Sequence, residues 1–330
     1  MGRFLLRRGL ELVAVLLAMS AIVFVLRSVI PADPARSAVG PNAPASVVEA
    51  KRRELGLDRP LAEQYVRYLG GLARGDLGTS ARTMRPVTRD VGEFLPASLE
   101  LVGFAALIGG LLAVLLAVSQ TIAARRAGWL RPILIGGASA PTFLVGLLLL
   151  YFLWFRLDLL PATGRASFRF EGPTGFLLLD GLLAGRFDVV ADAFAHLLLP
   201  ALTLAIPTGV AIGRTLRSSL AGTLRQDHVR TARSLGLSER EVLVRHALRN
   251  SLNAPLSMAG LQLGFVFANL LIVETLFGWP GLGLYTVQSL ARSDLPAVLG
   301  VALVFGVVYL AVNTLVDLAQ VAADPRLRLE

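Results

Sequence analysis

Residues Gln226–Asn250 read QDHVRTARSLGLSEREVLVRHALRN. This stretch is basic and water-compatible, and it interrupts a chain whose other long segments are apolar. Thr223–Leu235 has the composition of a helix, and Gly236 supplies a residue that tolerates the left-handed backbone with which helices end. Ser238 follows, with Glu241 three positions on, ahead of Val242, Leu243, Ala247 and Leu248. Ser-x-x-Glu before an apolar run is a capping-box signature that opens a second helix. The prediction is therefore helix, glycine stop, serine start, helix. On the first helix Val229, Ala232 and Arg233 share a face and present a small apolar surface beside charge. A rigid hairpin of this kind transmits a push. An amphipathic helix resting on lipid phosphate is the competing reading, and hairpin physics alone leaves the two level.

The surroundings of this island are membrane-like. Of 330 residues, 55% are apolar and 17% charged, against about 25% charged in soluble domains. Six windows have the length and apolarity of a bilayer span: Gly9–Leu26, 98–121, 132–155, 194–213, 254–277 and 297–316. Phe176–Gly185 is too short to cross, carries Asp180 and is assigned to a loop. Arg3, Arg7 and Arg8 ahead of the first window resemble the start of a signal peptide. The apolar run is long, however, and lacks a clear small-x-small site before Pro31, so an uncleaved helix is expected. Six spans put both termini on one side. Arginines gather at the N-terminus, at Arg125, Arg126 and Arg131, through residues 217–253 and at Arg326 and Arg328, which makes that side the cytoplasm. The outer segment 31–97 is long enough to escape the charge rule and holds basic and acidic residues in near balance. A net charge of +9 is accounted for by cytoplasmic arginines, without nucleic acid as a partner.

Inside the outer segment, Pro31–Ser46 is rich in Pro, Ala and Ser and is expected to be irregular. Val47–Arg74 has helical spacing broken near Gly56 and Pro60, which predicts two short helices. Gly75-Asp76-Leu77-Gly78 is a turn. The chemistry of enzymes finds little support. Cysteine is absent, three histidines do not make a metal cage, and no stretch fits the phosphate-binding G-x-x-x-x-G-K-[ST] pattern. No cofactor or metal is expected. His196 is read as structural. An intramembrane hydrolase would need a Ser/His pair or paired carboxylates at membrane depth, and neither is read beside His196. A secondary transporter would show inverted repeats and paired broken helices, which are not evident.

The hairpin resembles the conserved cytoplasmic loop of ABC importer permeases. Arg230-Thr231-Ala232 occupies the position of that motif's Glu-Ala-Ala, and Gly236 the position of its glycine. The departure at Arg230 is typical of the dipeptide/oligopeptide/nickel branch. Leu55-Gly56-Leu57-Asp58-Arg59-Pro60 with Gln64-Tyr65, Arg74-Gly75-Asp76-Leu77-Gly78 with Arg85-Pro86-Val87, Leu95-Pro96-Ala97-Ser98-Leu99-Glu100-Leu101 and Glu274-Thr275-Leu276-Phe277-Gly278-Trp279-Pro280-Gly281-Leu282-Gly283 are similar to further signatures of that branch. So are Asp317 and Asp324-Pro325-Arg326. The resemblance implies an all-α integral membrane protein with the six-helix fold of type I importer permeases. Such a subunit pairs with a second, similar permease, two cytoplasmic ATPases and an external solute-binding protein, in a bacterial or archaeal cell membrane. It implies that Arg230, Thr231, Ala232, Arg233, Gly236, Ser238, Glu241 and His246 couple the permease to the ATPases. Short peptides are the expected cargo, with nickel chelates the alternative. Residues proposed for the pathway or its gating are Pro200, Pro207, Gln262, Asn269 and Glu274; the prolines are equally readable as kinks for packing, Gln262 and Asn269 as groups that glue helices together, and Glu274 as a structural hydrogen-bonding group or one that simply reaches water at its span end. Glu100 and Asp317 are read as anchors, and Asn313 as a packing residue or part of the path.

Overall fold

The computed structural model describes residues 2–29, 34–40, 42–54, 56–122, 136 and 140–323. Helices dominate. In chain order they are α1 (Gly2–Val29), α2 (Pro34–Val39), α3 (Ala45–Glu54), α4 (Leu61–Ala73), α5 (Val87–Ile122), α6 (Thr142–Leu149), α7 (Leu177–Leu183) and α8 (Phe187–Thr223), followed by α9 (Asp227–Ser234), α10 (Glu239–Glu241), α11 (Asn253–Leu276), α12 (Leu282–Leu290) and α13 (Leu295–Ala323). Wider, π-type turns carry α6 on to Arg156 and α10 on to Leu248. Strand pairing among the described residues is confined to one bridge, Thr79 with Pro86.

Five of these helices, α1, α5, α8, α11 and α13, are long and apolar enough to cross a membrane, and Thr142–Arg156 is a shorter apolar helix. The third expected span, 132–155, is therefore seen only in part. Residues 132–135 and 137–139 lie outside the described residues, as do Arg125, Arg126, Arg131, Asp324-Pro325-Arg326 and Arg328. The other windows fall on helices that outrun them. α5 begins at Val87 rather than 98 and accommodates Pro96 near its start. α8 reaches from Phe187 to Thr223 around Pro200 and Pro207. At about 1.5 Å per residue α8 is longer than a hydrocarbon core of about 30 Å.

Three local expectations change. Phe176–Gly185 is not a loop: Leu177–Leu183 is helical, and Asp180 is buried because it caps the preceding turn, accepting from the amides of Thr174 (3.1 Å) and Gly175 (2.9 Å) and from the Thr174 hydroxyl (2.7 Å). Pro34–Val39 within the supposedly irregular stretch is helical, proline being tolerated in a first turn. Thr223–Leu235 is not one helix, because α8 closes at Thr223 and α9 starts at Asp227. The two helices expected in Val47–Arg74 are found as α3 and α4. The Gly75–Gly78 turn is found with its Asp76 carboxylate accepting from the Gly78 amide at 2.8 Å.

The chain divides into two compact units, one of residues up to Leu95 with Leu282–Leu310, the other of Pro96–Gly281 with the stretch from Ala311. In the first, α4 lies against α1: Phe24 packs on the rings of Tyr65 and Tyr68 at 5.2 and 5.8 Å, and the Ser20 and Tyr65 hydroxyls are 2.9 Å apart. Its loop 79–86 is pinned by buried carboxylates. Asp90 accepts from Tyr285 at 2.9 Å and Asp294 from the Arg82 amide at 3.0 Å. Burial, with Asp90 and Asp294 nearby, pushes the Tyr285 phenol up to about 12. The second unit is built on α8 and α11, which pack along one another, with α6 and α7 laid against α8. It holds the hairpin and the cleft described next.

Candidate functional site

The hairpin forms as its residues dictate. Gly236 has φ +80°, a conformation in which a Cβ would meet its own backbone. The chain exploits it fully: the Gly236 amide donates to the Arg233 carbonyl (3.0 Å) and the Leu237 amide to the Ala232 carbonyl (3.4 Å), the paired bonds of a Schellman stop. Ser238 then caps the second helix by accepting from the Glu241 amide at 3.3 Å. Only half of a capping box exists, because the Glu241 carboxylate turns forward to Arg245 at 2.9 Å.

One expectation about this hairpin is corrected. Val229 and Ala232 do not present an apolar surface. Both are buried with Val242, and Leu224 and Leu237 close around them. A helix of eight residues cannot hold its shape in water alone, so its apolar face is consumed in folding the hairpin. Burying each valine contributes about 1.5–3 kcal/mol. A second cluster fastens the hairpin to the spans: Leu243 and Ala247 pack with Ala117 of α5 and with Leu216 and Leu220 of α8. The Ser251 hydroxyl donates to the Ala247 carbonyl (2.7 Å) and lies 2.9 Å from the Thr223 hydroxyl. The hairpin is thereby packed onto the ends of α5 and α8.

What faces outward is Arg230, Thr231, Ser234 and Leu235. Leu235 is 76% exposed at the corner beside Gly236. Arg230 leans toward Asp227 at 3.6 Å. Arg233 binds Glu239 with two hydrogen bonds, 2.8 and 3.1 Å. The hydrogen bond from Arg233 holds the Glu239 carboxyl below its ordinary range, and the guanidinium rises in turn. His246 is half-buried on the second helix. Leu235 escaped the sequence reading because leucine at the end of a helix reads as core. The available signal was its place at the glycine corner, where the chain turns too sharply to cover it.

The residues assigned to a pathway are not all brought together. Pro207, Gln262 and Asn269 line a cleft of about 510 Å³ between α8, α11 and the start of α6, joined there by Thr208 and Arg214. Pro200 is buried away from it. Glu274 is elsewhere too, and it does not reach water: it is 0% exposed. The Ser98 hydroxyl donates to its Oε1 at 2.6 Å, and the Cα of Gly281 is so close that a Cβ would fall 2.2 Å from that oxygen. The turn after Glu274, with Gly278 at φ +56°, is fixed by the Trp279 indole N–H donating to the Ala97 carbonyl at 3.0 Å. Glu100 is buried as well, where Arg165 grips it at 2.6 Å and the Leu178 amide donates at 2.9 Å. Gly260 and Asn313 are in contact range, so Asn313 packs α13 against α11. The His196 Nδ1 donates to the Asp192 carbonyl, 2.9 Å away within its own helix, and the Asp192 carboxylate stands 3.7 Å off, so an aspartate does lie one turn from this histidine. Groups of ionisable or histidine side chains suited to a metal are not found among the described residues.

The family described as "Binding-protein-dependent transport system inner membrane component" matches residues 103–329, and its N-terminal counterpart matches residues 1–91. The chain belongs to this family of permeases. The permease is 40% identical over 323 residues to a probable D,D-dipeptide transport system permease of Escherichia coli K12, covering 96% of this chain and 94% of that protein. It is 37% identical to a di/tripeptide transport system permease of Pseudomonas aeruginosa, covering 98% of each. It is also 33% identical to a glutathione transport system permease of Pectobacterium atrosepticum, covering 99% of each. The permease is thus a transport subunit of an inner membrane rather than an enzyme.

Proposed function

We propose that this permease is the pore-forming subunit of an ATP-driven importer for short peptides. The relatives named above carry D,D-dipeptides, di/tripeptides and glutathione in their names, and a small peptide is the chemistry those names share. The chain crosses the membrane six times, the third crossing being the segment that contains Thr142–Arg156, and both termini are cytoplasmic. A second, non-identical permease completes the pathway. Two ATPase subunits bind the nucleotide from the cytoplasm, and a solute-binding protein delivers the peptide from the other side. The permease itself carries no cofactor. ATP favours one of two conformations, and the hairpin communicates which.

The observation that carries this reading is the hairpin. Its apolar face is spent on its own fold, its base is packed onto α5 and α8, and its exposed corner ends in an uncovered leucine. That combination suits a rigid plug seated in a cleft of another protein. Leu235→Glu tests it without touching the hairpin core. The expected result is a permease that accumulates normally and loses the co-purifying ATPase subunits. Full retention of the ATPase by Leu235→Glu refutes this contact.

A further inference from the structure

The cleft contains a charge that the proposed function leaves unused. Leu204, Thr208 and Arg214 line it from one face of α8, and Gln262, Asn269 and Ile272 from one face of α11. The two helices run in opposite directions on either side of the hairpin and pack along their length. Arg214 stands as far from the hairpin end of α8 as Gln262 stands from the hairpin end of α11. By the same register Thr208 and Asn269 stand nearly level, farther from the hairpin. The cleft therefore carries a lower polar tier, a guanidinium with an amide, and an upper one, a hydroxyl with an amide, about 10 Å apart along the helix axes.

Arg214 is exposed and has no ion-pair or hydrogen-bond partner among the described residues, and the same is true of the half-buried Gln262 amide. An arginine at a span end ordinarily turns to lipid phosphate. This one lines the cleft between α8 and α11. It lies one residue beyond the apolar window 194–213, which is why its sequence position reads as a cytoplasmic flank.

We propose that Arg214 is the charge contact for a carboxylate on the solute in transit, with Gln262 its neighbouring hydrogen-bonding group, so that the cleft favours solutes with a free carboxylate such as the C-terminal end of a peptide. This rests on the importer reading above. The guanidinium pairs with a carboxylate through two parallel hydrogen bonds, a geometry no other side chain reproduces. The small tier separation suits a solute of two or three residues, one end on the lower tier and the other on the upper.

The test uses the whole complex in proteoliposomes, with ATP on the ATPase side, the binding protein on the other, and dialanine as the probe. Wild type, Arg214→Gln and Arg214→Lys are compared by dialanine taken up per ATP hydrolysed. Arg214→Gln lowers that ratio about ten-fold or more, the scale of a lost charge-assisted hydrogen bond. Arg214→Lys recovers part of it, and ATP hydrolysis stimulated by the loaded binding protein stays near wild type in both. An unchanged ratio in Arg214→Gln overturns the assignment. So does a complex that no longer assembles, or hydrolysis that falls in step with uptake, since either makes Arg214 a structural ion-pair partner of another chain. Wild-type complex that hydrolyses ATP but moves no dialanine overturns the peptide reading itself and this inference with it, a failure visible without any variant.

Discussion

The hairpin 226–251 and the turn 277–281 that follows α11 are both glycine-cornered, yet the charges beside them are treated in opposite ways. The hairpin keeps valine and alanine inside and leaves its ion pairs, Arg233–Glu239 and Arg245–Glu241, in contact with solvent. The turn closes over a carboxylate of the preceding helix, Glu274, which is buried against Ser98 and Gly281, while Glu100 on α5 is sealed under Arg165. Exposed pairs are screened by solvent and contribute little, whereas removing one partner of a buried charge costs about 3–5 kcal/mol. Surface chemistry on the hairpin is therefore free to serve a partner, since little stability depends on it. The buried chemistry near Glu274 is committed to holding one arrangement of α5, the turn and the loop that carries Arg165.

The comparison breaks most visibly at Gly281. Its Cα abuts the Glu274 carboxylate, which is itself 0% exposed. An added methyl drives the carboxylate off the Ser98 hydroxyl with no water to replace it. Gly281→Ala is expected to destabilise the permease by about 3 kcal/mol, measured as a fall in thermal unfolding temperature in detergent. The double variant Gly281→Ala with Glu274→Ala is expected to be less damaging than the two single changes summed, because the clash has been removed along with the charge. Strict additivity would show that the close contact at Gly281 carries no strain on Glu274.

Much of the hairpin was legible in the sequence because its stop and start signals are local: Gly236 and Ser238 act on their own backbone within a few residues. The apolar windows were legible for a similar reason, since span-forming composition is a property of a segment. What the sequence left open depends on pairing across long separations. A structural hydrogen bond was among the readings of Glu274 and is what forms, but nothing near it announces that the donor is Ser98, far upstream. Asp180 read as an interruption because its partners, Thr174 and Gly175, make a cap only once the loop has folded back. That Arg214 lines a cleft shows only once the helix across from it is packed in place. Val229 and Ala232 were placed on the right face of α9, but only the packing of Val242 shows that this face points inward.

A smaller effect separates the two halves of the hairpin. Ser238 caps the second helix through one rather long bond, 3.3 Å to the Glu241 amide, and the reciprocal half of the capping box is missing. Ser238→Ala is accordingly expected to cost about 0.5–1 kcal/mol, the low end for a cap. Amide exchange should quicken at Glu241 while leaving Leu237, held by the Gly236 corner, nearly as protected as before. Equal loss at both positions would mean that corner and cap open as a single unit.

The least effect is expected from the pair Arg233–Glu239, and its pH dependence has a definite sign. The hydrogen bond from Arg233 depresses the folded-state pKa of Glu239, and Arg233 itself stays charged throughout. A depressed carboxylate contributes stability that is present above its unfolded value, about 4.3, and is lost as pH falls through the folded value. Between about pH 6 and 8 neither group changes state, so the small protection that wild type holds over Glu239→Gln at the hairpin corner is expected to be constant. It is expected to shrink as pH falls below the unfolded carboxylate value and to vanish once Glu239 is protonated in the folded hairpin. Amide exchange at Gly236 and Leu237, corrected for the intrinsic pH dependence, measures both limbs. A difference that survives in acid would assign the contribution of Glu239 to packing of its side chain over the corner rather than to its charge, and would make the hairpin's exterior more like the buried turn than the present contrast allows.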